Sequence, residues 1–127
     1  MPMTRIETGA GWIGDRHVAV IEAVQRALKA ALALPEWDRD VVVSEHPHRI
    51  VPPGRSERYT RVEVLLFAGR SPAAKRRLYT MICDNLAALG VPKADLKIAL
   101  VEIPRENWGV RGGQCAADIE LGFEVEV

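Results

Sequence analysis

Hydrophobic and polar positions alternate or recur along this chain in a way that predicts four strands and two helices. Residues 3–8 (MTRIET) alternate enough for a short strand, which Gly9, Gly11 and Gly14 then break, with Asp15 placed to cap a helix. From His17 to Leu34 the apolar residues Ile21, Val24, Leu28 and Leu32 recur at helical spacing. Glu22, Gln25, Arg26 and Lys29 fall on the other side of that helix, and Pro35 ends it. Residues 40–45 (DVVVSE) read as a second, partly buried strand. The stretch 47–58 holds three prolines and a glycine, a loop long enough to have a function of its own.

Tyr59 to Ala68 (YTRVEVLLFA) is the clearest strand, and its continuous apolar end predicts burial on both faces. Ser71 caps a second helix with Pro72 at its first position. Leu78, Ile82 and Leu89 mark its core face, and Gly90 with Pro92 closes it. Residues 96–103 (LKIALVEI) form the fourth strand. The tail from Pro104 carries Trp108 and a glycine cluster, and ends in LGFEVEV, readable as a short edge strand.

Strand-helix-strand thus occurs twice, over about 2–46 and 59–103, at an offset of roughly 57 residues. Each unit is a right-handed β-α-β crossover with parallel strands. The expected fold is α/β: one domain over 1–127, in which the tandem units share a four-stranded sheet with two helices on one face. The other sheet face is then bare and partly apolar, which oligomerisation would cover.

With 127 residues and 17 basic against 17 acidic side chains, the chain suits a single core and shows no charge excess directed at nucleic acid or an anionic membrane. The amino-terminal residues lack an apolar signal region, and no apolar run reaches membrane-spanning length, so a cytoplasmic protein is expected. Cys83 falls on the second helix as a small core residue and makes no close-spaced pair with Cys115.

The candidate chemistry begins at Pro2. Once Met1 is removed, its nitrogen is a free secondary amine, and α-amino groups titrate at roughly 7.7–8.0, so about a tenth is neutral at pH 7. An apolar site or a nearby cation lowers that value further, which suits a general base. Arg70, just before the second helix, can clamp a carboxylate through its planar guanidinium, aided by the helix N-terminus, or it is a solvated turn arginine. His46 and His48 lack further ligands at metal spacing, and Gly112-Gly113 matches no phosphate loop and reads as a turn.

The Met1-Pro2 start, the doubled β-α-β pattern, and Phe67-Ala68-Gly69-Arg70-Ser71 with Lys75 following together resemble the tautomerase superfamily, typified by 4-oxalocrotonate tautomerase. Asp38-Arg39, Ser44-Glu45-His46, and Trp108 after Ile98–Glu102 are similar to the malonate semialdehyde decarboxylase branch. That branch carries two arginines before its second helix. Here Arg70 matches the second, and the first would fall near Ala68. The resemblance therefore implies a cofactor-free tautomerase acting on a small carboxylate-bearing enol or 2-oxo acid, with a homotrimer as the assembly, and the residues themselves point to no metal site. A decarboxylase, hydratase or dehalogenase using Pro2 as an acid is the alternative within the fold, and a non-catalytic trimeric binding protein the alternative outside enzymes.

In that setting Asp38 either orients a water or polarises Pro2, or it is a turn aspartate. Trp108 either walls the substrate pocket or is a packing residue. Arg105 and Arg111, flanking Trp108, either add a second carboxylate contact from a neighbouring subunit or are surface charge.

Overall fold

The computed structural model describes residues 2–127. Strand β1 (Met3–Gly9), helix α1 (His17–Leu32) and strand β2 (Val41–His46) form the first unit. Strand β3 (Thr60–Phe67), helix α2 (Pro72–Ala87) and strand β4 (Leu96–Ile103) form the second. The sheet order is β2-β1-β3-β4, with β1 parallel to β2, β3 parallel to β4, and β1 antiparallel to β3. The two expected crossovers are thus joined back to back through their first strands.

Alternation decides which side of each strand is covered. Thr4, Ile6, Thr8, Val62, Val64 and Leu66 are buried on the helix side with Val24, Leu28, Leu78, Ile82 and Leu86. Arg5, Arg61, Glu63, Lys97 and Ala99 point the other way and are exposed. At one end of that bare face stand Met3, Val42 and Val101, each 43–51% exposed, with half-buried Leu65. Among the described residues, no helix is long and apolar enough to cross a membrane.

Several boundaries differ from the expectations. Asp15 does not cap α1: Arg16 takes that position without a side-chain cap bond. The helix stops at Leu32, two residues short of Leu34, because Ala33 turns left-handed. Helix α2 starts as expected, with the Ser71 hydroxyl accepting from the Ala74 N–H at 3.1 Å, but ends at Ala87, so Leu89 packs on the core from the following turn. Cys83 is half-buried and burial raises its thiol pKa. Gln25 is buried rather than solvated, 6% exposed.

The tail forms no edge strand over 121–127. Gly109–Val110 (β5) and Gln114–Cys115 (β6) make a small antiparallel hairpin, with the glycine pair in its turn as expected. The tail beyond it lays Leu121 and Val125 against Phe67 and Trp108 in a second apolar cluster.

Candidate active site

Strand register brings three separate segments to one end of the sheet. Met3 stands opposite Leu65, and Thr4 opposite Val41 with its N–H donating to the Asp40 carbonyl at 3.0 Å. Pro2, buried, therefore enters between the end of β3 and the segment that leads into β2. The first of these runs on from Phe67 to Arg70, and the second contains Asp38. Met1, whose removal would free the Pro2 nitrogen, lies outside the described residues.

Arg70 is 4% exposed. Its Nη1 donates to the Phe67 carbonyl at 3.0 Å, folding the side chain back over its own turn. Its Nε and Nη2 are buried and have no hydrogen-bond partner among the described residues. Buried donors are ordinarily satisfied, so these two leave the cation able to take an acceptor. Burial lowers the guanidinium's pKa, the Asp38 carboxylate opposes that, and Arg105 adds to it. Asp38, 5% exposed, is thus within electrostatic reach of Arg70.

The aromatic residues around this cation have distinct places. Trp108 is 8% exposed, meets Phe67 edge-on at 5.1 Å, and donates its indole N–H to the Ile103 carbonyl at 3.2 Å. It packs beneath the residue from which the Arg70 turn departs. Arg105 lies over the same Phe67 ring, 5.8 Å from its centroid. Arg111 instead donates to the Glu120 and Leu121 carbonyls and secures the tail. Trp37, next to Asp38 and 56% exposed, meets Phe123 of the tail edge-on at 6.0 Å. Sequence reasoning missed Trp37 and Phe123, which carry no periodic signal. A shallow hollow of about 190 Å³, lined by Met3, Thr4, Arg5, Asp40, Val42 and Leu65, opens on the bare sheet face at this end.

The loop 47–58 lies at the opposite end. Arg49 donates to the Tyr59 and Glu57 carbonyls, and Ser56 binds the buried Asp95 carboxylate, so the loop is a structural closure there. Among the described residues no group of three His, Cys, Asp or Glu side chains is placed to hold a metal ion.

The sequence profile of the tautomerase enzyme family matches residues 38–111, more than half of the chain, and the chain belongs to that family. It is similar to a 2-hydroxymuconate tautomerase of Pseudomonas putida, 31% identical over 51 residues, a span of 39% of this chain and 81% of that protein. Among solved structures, a malonate semialdehyde decarboxylase inhibited by 3-bromopropiolate is 28% identical with a TM-score of 0.79, covering 89% of this chain and 92% of that one. A fused 4-OT solved as a symmetric trimer has a TM-score of 0.80 at 22% identity, over 91% and 96% of the two chains, and shares the fold. The protein is an enzyme of the tautomerase family, an isomerase or close relative of one.

Proposed function

We propose that this enzyme is a cofactor-free keto–enol tautomerase for a small carboxylate-bearing enol or 2-oxo acid, with Pro2 as its general base. The observation that carries the reading is Arg70: a buried cation with two open donors at the sheet end where Pro2 enters. Its Nε and Nη2 match the two oxygens of one carboxylate. Neutral Pro2 takes the enol hydroxyl proton and returns it to carbon, converting enol to ketone with no net change in atoms or charge. Arg70 and Arg105 together favour a neutral amine, as does burial of Pro2. They also favour the enolate that forms as the proton leaves. Trp108, by fixing Phe67, supports the turn that presents Arg70 and keeps water from it.

A homotrimer fits the bare sheet face, whose apolar end at Met3, Val42, Leu65 and Val101 another copy would cover. A second reading has Pro2 protonated and acting as an acid in decarboxylation or hydration. The buried Asp38 carboxylate favours it, because a nearby anion raises an amine pKa.

The test is ketonisation of phenylenolpyruvate, followed by ultraviolet absorbance, on protein whose intact mass shows Met1 gone. Pro2→Ala should lower turnover by about 10²–10⁴-fold, the usual contribution of general acid–base transfer. For a base, turnover of the unsubstituted enzyme rises with pH through the Pro2 titration, and for an acid it falls. Full turnover in Pro2→Ala would remove Pro2 from the chemistry altogether.

A further inference from the structure

Three polar side chains of α1 reach one short loop. Glu22, Gln25 and Lys29 are spaced as i, i+3 and i+7, which sets them in one stripe along the helix. The Glu22 carboxylate accepts from Arg39 Nη2 at 2.6 Å, and Lys29 Nζ donates to Glu36. Between them, Gln25 Nε2 donates to the backbone carbonyl of Asp38 at 3.0 Å. The outer two are exposed ion pairs, which hold loops weakly. Gln25 is buried beside Val24 and Leu28, where an amide without a partner is costly and a made bond persists.

We infer that Gln25 is a positioning residue, which fixes the 36–39 loop so that the Asp38 carboxylate is held toward Arg70 and the Pro2 end of the sheet. The loop has two turn bonds of its own, Asp38 N–H to the Pro35 carbonyl at 3.1 Å and Arg39 N–H to the Trp37 carbonyl at 3.0 Å. These shape the turn but do not attach it to the rest of the molecule. Gln25 adds a buried attachment at Asp38's own carbonyl, two bonds from the Cβ that carries the carboxylate. The inference rests on the reading of Asp38 as part of the site.

Two measurements separate the tether from that reading. Hydrogen exchange of the 36–40 segment reports the tether, and the pH dependence of Pro2 alkylation by 3-bromopropiolate, followed by intact mass, reports the site. Gln25→Met keeps the size and removes the donor, and Gln25→Glu, run beside it, keeps polarity while losing the N–H when ionised. Exchange of the segment should quicken by about tenfold in both, the factor for one lost hydrogen bond. The alkylation midpoint should shift in the direction that Asp38→Asn shifts it, and adding Asp38→Asn to Gln25→Met should move it no further than Asp38→Asn alone. Unchanged exchange overturns the tether. Faster exchange with an unmoved midpoint, where Asp38→Asn does move it, overturns the positioning role. A midpoint indifferent to Asp38→Asn itself refutes the placement of Asp38 in the site, while the exchange result still decides the tether.

Discussion

Replacing Arg70 by methionine should cost the fold modestly and the enzyme heavily. The side chain is buried with one hydrogen bond, to the Phe67 carbonyl, and two donors open among the described residues. Each buried donor left open costs about 1–3 kcal/mol, so methionine relieves about 4 kcal/mol at the middle of that range. Against this stand the Phe67 carbonyl, left open at about 2 kcal/mol, and the lost attraction to Asp38, about 4 kcal/mol at the effective dielectric of a protein site. About 2 kcal/mol is lost, which for a chain of this length lowers Tm by about 8 °C. The kinetic effect is larger. Two charge-assisted bonds to a substrate carboxylate, at about 1.5–3 kcal/mol each, amount to about 10²–10⁴-fold in kcat/KM. Thermal melts and ketonisation kinetics on one preparation at one protein concentration read both. A variant that melts higher would mean that relief of the two open donors outweighs the lost attraction to Asp38. One that keeps its kcat/KM would refute the carboxylate clamp.

Two further outcomes test the surroundings. Ser71→Ala removes the hydroxyl that accepts from the Ala74 N–H and should cost about 1 kcal/mol, read as a Tm lower by about 4 °C. An unchanged Tm would mean that Pro72 alone suffices to start α2. Glu45 is held below its ordinary value of 4.5, chiefly by its hydrogen bond with His17 at 2.7 Å and then by the Gly11 N–H. A carboxylate with a depressed folded pKa stabilises above its unfolded value and loses that contribution as pH falls through the folded one. The Tm gap between the unsubstituted protein and Glu45→Gln should therefore be open at neutral pH and close below about pH 4. A gap that widens on acidification would reverse the sign of the linkage.

What the sequence discloses here is whatever a local rule decides. The apolar end of β3, the Ser71-Pro72 start of α2 and the helical spacing of Val24, Leu28 and Leu32 each need only neighbouring residues, and each appears where expected. Gln25 was hidden because periodicity sees one helix at a time. It sits at the edge of the polar side, and only the return of the 36–39 loop buries it. The tail misleads for the converse reason. LGFEVEV alternates like a strand, but it pairs with neither sheet edge, and Leu121 and Val125 pack with Phe67 instead. Pro2, Asp38 and Arg70 could be nominated singly from composition and resemblance. Their convergence depends on the antiparallel β1–β3 junction, which no local pattern encodes.

The repeat itself makes the two ends of the sheet unlike, and the proposed site lies at one of them. The two units are joined through antiparallel β1 and β3, so each sheet end receives the start of one unit and the strand-to-helix turn of the other. At the end opposite Pro2, Asp95 precedes β4 as Asp40 precedes β2, and Arg16 adjoins α1 as Arg70 adjoins α2. There the corresponding charges are taken up by the protein. Asp95 accepts from Ser56, the Arg16 guanidinium donates to the Ile13, Trp12 and Leu89 carbonyls, and Arg58 donates to the Gly90 carbonyl. Tyr59, in the place corresponding to the chain's beginning, has a peptide N–H that donates to the Ser56 carbonyl and cannot take up a proton. The linker between the units therefore closes one end in the act of joining them. The other end retains a buried cation with two donors open among the described residues, and Pro2 enters there. On the proposed reading, chemistry at one end and closure at the other are two consequences of joining two β-α-β units in a single chain.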